Sequence, residues 1–171
     1  MPSFQAMFEE SKGQPVAYQG HTLVLGDFCP TQGATRFRLV VESCKATRRP
    51  GVALDLVPRG QNGKWRRGAS PTHDGEFVVN GQVCSGRKGI FFWQEDVPGS
   101  VEFEVRGDPD GVDVFNVWEG QNHLGKRFMD SRRHGAAMMV EELPNGRRYR
   151  CNDGEPDEDF DDIVFRLERV A

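Results

Sequence analysis

No stretch of this 171-residue chain is long and apolar enough to span a membrane as a helix, and hydrophobic residues make up only 37% of it. The first ten residues, Met1 to Glu10, contain neither a basic leader nor a continuous apolar run, which argues against a Sec signal. The chain therefore reads as cytoplasmic at synthesis, with export by a signal-independent route left open. Cysteine is scarce. Cys29, Cys44, Cys84 and Cys151 form no Cys-x-x-Cys pair and have no nearby His at ligand spacing, which excludes a zinc ribbon or finger. Buried thiols are the default, and two bridges would require an oxidising compartment. His21, His73, His123 and His134 are dispersed, and no Ser or Cys sits in a nucleophile elbow, so no catalytic constellation emerges and the chain is not read as an enzyme.

Long helical patterns are also missing, whereas 20 Gly, 10 Pro and 12 Phe are present. Strand-like runs cover Thr22–Leu25, Arg36–Glu42, Val52–Val57, Glu76–Asn80, Ile90–Gln94, Val101–Arg106, Val112–Trp118, Ala137–Glu141, Arg147–Cys151 and Ile163–Arg169. Turn sequences separate them, among them Gln61-Asn62-Gly63, Asn80-Gly81, Asp108-Pro109-Asp110-Gly111 and Pro144-Asn145-Gly146. The expected fold is all-β: an antiparallel β-sandwich of about ten short strands, jelly-roll or Greek-key in type, forming one domain over residues 1–171. Phe4, Met7 and Phe8 fall at helical spacing, so residues 1–14 are expected to form an extension or a short helix tucked onto the sandwich.

The charge is unevenly distributed. Residues 153–162 hold seven carboxylates and no basic residue, and outside them 19 acidic residues face 22 basic ones. Basic doublets at Arg48-Arg49, Arg66-Arg67, Arg132-Arg133 and Arg147-Arg148 are scattered and carry no nucleic-acid motif, so they read as solvated surface and no nucleic-acid partner is expected. A carboxylate run this dense either stays solvated or is held compact by a cation. Compactness is favoured because Phe160 lies inside the run, and Ile163, Phe165 and Leu167 follow it with the alternation of a half-buried strand.

A loop of Asp residues suits calcium, which takes six to eight oxygen ligands, better than it suits zinc or copper. Asp157, Asp159 and Asp161 alternate, so an extended segment would aim them to one side, with Asp162 at the strand entry. An EF-hand is excluded. Counting from Asp157, the sixth position is Asp162 where Gly is needed, and a strand follows where a helix is required.

Asp153-Gly154, then Asp157-x-Asp159-Phe160-Asp161-Asp162 and an apolar strand, resembles the calcium loop of the small bacterial fucose- and mannose-binding lectins. It is also similar to the C-terminal part of calcium-binding modules of large bacterial surface proteins. The lectin resemblance covers about 18 residues and implies Asp153, Asp157, Asp159, Asp161 and Asp162 as calcium ligands, with Asp153, Gly154 and Asp157 beside a bound sugar. It further implies Ca2+ as the cofactor, a carbohydrate partner and a homo-oligomer. Asn152 stands where that family has a Glu ligand and Cys44 where it has an Asn, so one ion is expected before two. More weakly, Gly20–Gly26, Thr35–Leu39 and Val52–Arg59 resemble the strand pattern of galectins. Asp55 and Val57 replace the sugar-binding His and Asn there, so this supports a sandwich and not galactoside binding.

The expected function is calcium-dependent carbohydrate binding, with a calcium-stabilised structural or protein-binding module as the alternative and a metal-assisted hydrolase third. Asp108, Asp110 and Asp113 are read as a turn sequence before they are read as a second cation site. Trp93 is read as core. Trp65 and Trp118 are weighed as sugar-stacking residues, with a structural role preferred for each.

Overall fold

The computed structural model describes residues 3–57, 75–84, 89–155 and 157–171. A helix, α1 (Phe4–Glu10), precedes β1 (Val16–Tyr18), β2 (His21–Val24), β3 (Asp27–Pro30), β4 (Arg36–Cys44) and β5 (Pro50–Val57). There follow β6 (Glu76–Val79), β7 (Gln82–Cys84), β8 (Gly89–Trp93), β9 (Ser100–Arg106) and β10 (Gly111–Gln121). The chain then forms β11 (Arg127–Ser131), β12 (Ala137–Leu143), β13 (Gly146–Asn152) and β14 (Ile163–Val170).

All pairings among the described residues are antiparallel. One sheet runs β1-β2-β12-β13-β14-β4-β9-β6-β7 and the other β11-β10-β5-β8, with β3 pairing with β10. The architecture is the expected all-β sandwich. Strands distant in sequence sit side by side, as with β14 against β4 and β4 against β9, in the manner of Greek-key connections. Each of the ten strand-like runs overlaps a strand. Four more strands occur, β1, β3, β7 and β11, all of three to five residues. Their sequences, such as Gln-Val-Cys and Arg-Phe-Met-Asp-Ser, are too short to display alternation. Trp65, Arg66-Arg67, His73 and the Gln61-Asn62-Gly63 turn lie outside the described residues. No helix among the described residues is long and apolar enough to cross a membrane.

The core lies between the sheets because alternate residues of each strand point inward. Phe37, Leu39, Phe103, Phe165 and Leu167 of the large sheet meet Val52, Leu54, Val112 and Val114 of the small one, all at most 3% exposed. Asn80 and Gly81 both take left-handed φ values, 52° and 77°, which lets a two-residue turn join β6 to β7. Ser3 caps α1 by accepting the Ala6 N–H at 3.2 Å, and Phe4 and Phe8 bury its inner face against Leu23, Ala137 and Phe160. This places the helix at the end of the sandwich that carries the acidic loop. The four cysteines are free thiols, with Cys29 and Cys151 buried.

The basic doublets within the described residues find carboxylates. Arg148 and Arg166 both reach Glu42, at 3.1 and 2.5 Å, on the outer face of the large sheet. Arg49 bonds to Glu95 and lies 3.4 Å from Glu119. Such exposed pairs contribute about 0–1 kcal/mol each.

On the outer face of the small sheet Asp113 lies directly across from Asp55, with Arg132 3.7 Å away. Burial pushes the Asp113 carboxyl from 3.8 up to about 6; Arg132 opposes this, and Asp55 and Asp27 add to it. The native state therefore holds this proton more tightly than the unfolded chain does. Stability should fall as pH rises from about 4 to 6, and the penalty should persist above that. Asp113→Asn is expected to stabilise the protein by roughly 1–2 kcal/mol at pH 7 and not at pH 4. Denaturant melts at the two pH values check this, and an equal gain at both would contradict it.

Candidate metal centre

Strands β13 and β14 are antiparallel neighbours, with Cys151 opposite Ile163, and the ten acidic-loop residues close the hairpin between them. The loop is braced from within. Asn152 is fully buried; its Oδ1 accepts the Phe160 N–H at 2.8 Å, and its Nδ2 donates to the Asp157 carbonyl at 2.9 Å. The Asp153 N–H donates to Asp162 Oδ2 at 2.8 Å, and Asp153 Oδ1 accepts the Glu155 N–H at 2.7 Å. These bonds satisfy three backbone N–H groups and one carbonyl that a loop would otherwise leave to water.

Surrounding elements fix the loop from three sides. From the β4–β5 connection, the Lys45 and Ala46 amides donate to the Asp162 carbonyl, each at 3.1 Å, and Lys45 Nζ pairs with Asp161 Oδ2 at 2.9 Å. From the helix side, the Phe4 ring lies 5.6 Å from that of Phe160, and Tyr18 donates its hydroxyl to Glu158. From below, Trp118 packs under Gly154. A Cβ on that glycine would come within 2.9 Å of the indole ring, so the close approach requires glycine. Asn116 Nδ2 also donates to the Asn152 carbonyl at 2.9 Å.

Within this frame the carboxylates sort into two sets. Asp157, Asp159 and Asp162 each offer an oxygen, and these oxygens lie within 4.8 Å of one another. Asp161 is outside the group and pairs with Lys45, whose hydrogen bond holds its carboxyl below the usual range, with a hydrogen bond to Asp159 lowering it further. Asp153 is 2% exposed and tied to the Glu155 amide, while Gly154 is half-buried on Trp118. Of the five expected ligands, three converge and two do not. The simple alternation of 157, 159 and 161 is broken at Phe160, which takes φ 53° to drive its ring into the apolar cluster beneath. That left-handed step delivers Asp162, in place of Asp161, to the group.

The electrostatics are those of unneutralised anions. Burial pushes the Asp157 carboxyl up to about 6; the charges of Asp162 and Asp159 add to this, and a hydrogen bond from the Asp159 amide opposes it. Burial also raises Asp162 to about 6, an effect the Asp153 amide opposes and the charges of Asp153, Asp159 and Asp161 reinforce. Asp157 Oδ1 is buried without a hydrogen-bond partner. A carboxylate grouped with two others, with one of its oxygens buried and undonated, is an environment a cation relieves. The donor set is all oxygen, and its spread is inside the roughly 5 Å that separates opposite ligands in a calcium shell. The residues thus fit a hard divalent ion. Asp108, Asp110 and Asp113 are not brought together: the first two lie in the β9–β10 turn and the third in β10.

Asn152, the residue that organises the loop, was not foreseen as a brace. The available signal was an Asn directly before Asp-Gly, a pairing that favours side-chain-to-backbone bonds in turns. Trp118 is fully buried and supports the loop from inside, and Trp93 is half-buried beneath the Arg49 guanidinium at 4.4 Å. No family model, curated protein or solved structure matches this chain.

Proposed function

We propose that this protein binds a calcium ion through Asp157, Asp159 and Asp162 and uses the ion's solvent side to hold the hydroxyls of a carbohydrate. The observations that carry the calcium reading meet at Asp157: one of its carboxylate oxygens lies within 4.8 Å of oxygens from Asp159 and Asp162, and its Oδ1 is buried without a hydrogen-bond partner. Three carboxylates supply at most six oxygens, fewer if any binds through one oxygen, and calcium takes six to eight. Asp159 is exposed, so the remaining positions open outward. Two adjacent ring hydroxyls can replace waters there, and the resemblance of residues 153–162 to the lectin loop supports that use. A sugar held this way binds weakly at one site, which favours assembly into a multivalent homo-oligomer.

A second reading is favoured by the braces. Lys45, Ala46, Asn116 and Asn152 tie the loop to three strands and their connections, so the ion would latch β13 to β14 and α1 without touching a ligand. The two readings separate in thermal unfolding of the calcium-loaded protein against a panel of monosaccharides. Carbohydrate binding predicts a further rise in melting temperature for at least one sugar, abolished by EDTA. A calcium effect that no sugar increases would leave the latch.

A further inference from the structure

We propose that the cleft between α1 and the β11–β12 connection is a binding site for a small organic carboxylate, independent of the acidic loop. The cleft encloses about 530 Å³, within the range of small-molecule sites, and shares no lining residue with residues 153–162. Its floor is apolar. Phe8 and Ala136 are 4% and 2% exposed, and Leu25 lies half-buried beside them. Its rim is donor-rich, formed by Lys12 on one side and Arg132, Arg133 and His134 on the other.

Two of those donors are unspent and two are spent in part. Among the described residues, the side chains of Lys12 and His134 have neither an ion pair nor a hydrogen bond. Arg132 stands 3.7 Å from Asp113 and stacks 4.0 Å from the Phe115 ring, neither of which uses its N–H groups as a hydrogen bond would. Arg133 donates Nε to Asp130 at 2.5 Å and lies over the Phe128 ring, and its terminal nitrogens have no hydrogen-bond partner among the described residues. Among the described residues one carboxylate lines the wall, Glu9, which already accepts from Gln5 Nε2 at 2.8 Å and lies on the helix side. The ligand's anionic end is therefore assigned to the 132–134 side, within reach of Lys12, and its apolar body to the floor.

Lys12, Arg132 and His134 take left-handed φ values, 56°, 56° and 57°, in the turn that ends α1 and in the β11–β12 connection, and these turns set the three residues along the cleft. An apolar floor with an acceptor-poor, cation-bearing rim suits an anion carrying an apolar body. It does not suit a fully hydrated anion or a neutral apolar molecule.

The test is a calorimetric and NMR titration of the metal-stripped full chain in calcium-free buffer without chelator, so that calcium binding has no bearing on the result, with benzoate, benzyl alcohol and inorganic phosphate as probes. Benzoate is expected to bind saturably and to shift the His134 imidazole resonances, with benzyl alcohol and phosphate at least tenfold weaker. Lys12→Glu, an exposed change that keeps the backbone conformation, should melt like the parent and lose about tenfold or more in benzoate affinity, the scale of one charge-assisted bond. His134→Gln provides a second variant, with a smaller loss. The proposal is overturned if benzoate does not bind, if the alcohol or phosphate binds as well, or if Lys12→Glu binds benzoate like the parent.

Discussion

Asp159→Asn is expected to act in opposite directions in the two buffers. In EDTA it removes one of three crowded carboxylates, whose mutual repulsion at this spacing is about 1 kcal/mol per pair even in a water-like medium, so the variant should melt at or slightly above the parent. In millimolar calcium the parent should gain about 2.7 kcal/mol if the ion is present at a hundred times its dissociation constant, or roughly 5–10 °C for a chain of this size. Asp159→Asn should lose most of that gain. Asp162→Ala provides the contrast, because Asp162 Oδ2 also accepts the Asp153 N–H at 2.8 Å, so this variant should be destabilised in both buffers. A purely solvated acidic loop predicts no buffer dependence for either variant.

The second large effect lies away from the loop. Arg147 on β13 donates through Nη1 to Asp27 Oδ2 at 2.8 Å and to the Phe28 carbonyl at 2.7 Å, pinning β3 to the large sheet. Tyr149, fully buried, donates to the same Asp27 oxygen at 2.8 Å. The paired side chains of Arg147 and Asp27 are only 20% and 15% exposed. Arg147→Met would leave the Asp27 carboxylate between the sheets with a single neutral donor. It is expected to cost about 2–4 kcal/mol, somewhat under the range for fully buried pairs, and roughly 5–15 °C in melting temperature. Arg147→Met with Asp27→Leu should recover part of the loss, since the orphaned charge goes with its partner. Melting of the single variant like the parent would contradict this role.

How much of this the sequence carried depended on the kind of signal. The central strands β4, β5, β9, β10, β13 and β14 were legible because each buries one face or both over five or more residues, and their apolar pattern persists. Strands β3 and β11 were not, because four or five residues packed along the edge of β10 owe their structure to that neighbour and not to their own pattern. For the site, the density of Asp located the loop, and the strand after it excluded an EF-hand. The choice of Asp162 over Asp161 was not legible, since it rests on the left-handed turn at Phe160, and that turn exists because the ring is drawn to Phe4 and Ala137, more than 20 residues away. Lys45 likewise captures Asp161 from a connection over 100 residues distant. The strand carrying Arg147 and Tyr149 was legible but their joint bond to Asp27 was not: the Arg147-Arg148 doublet reads as solvated surface, whereas Arg147 is only 20% exposed and its partner lies on the unrecognised strand β3.

The most direct measurement is isothermal titration of calcium into the metal-stripped protein, run beside Asp157→Asn. The account predicts one site per chain in the parent and its loss in the variant, because the buried Asp157 oxygen is the group a cation satisfies. Absence of binding up to millimolar calcium, or binding unchanged in Asp157→Asn, would contradict it.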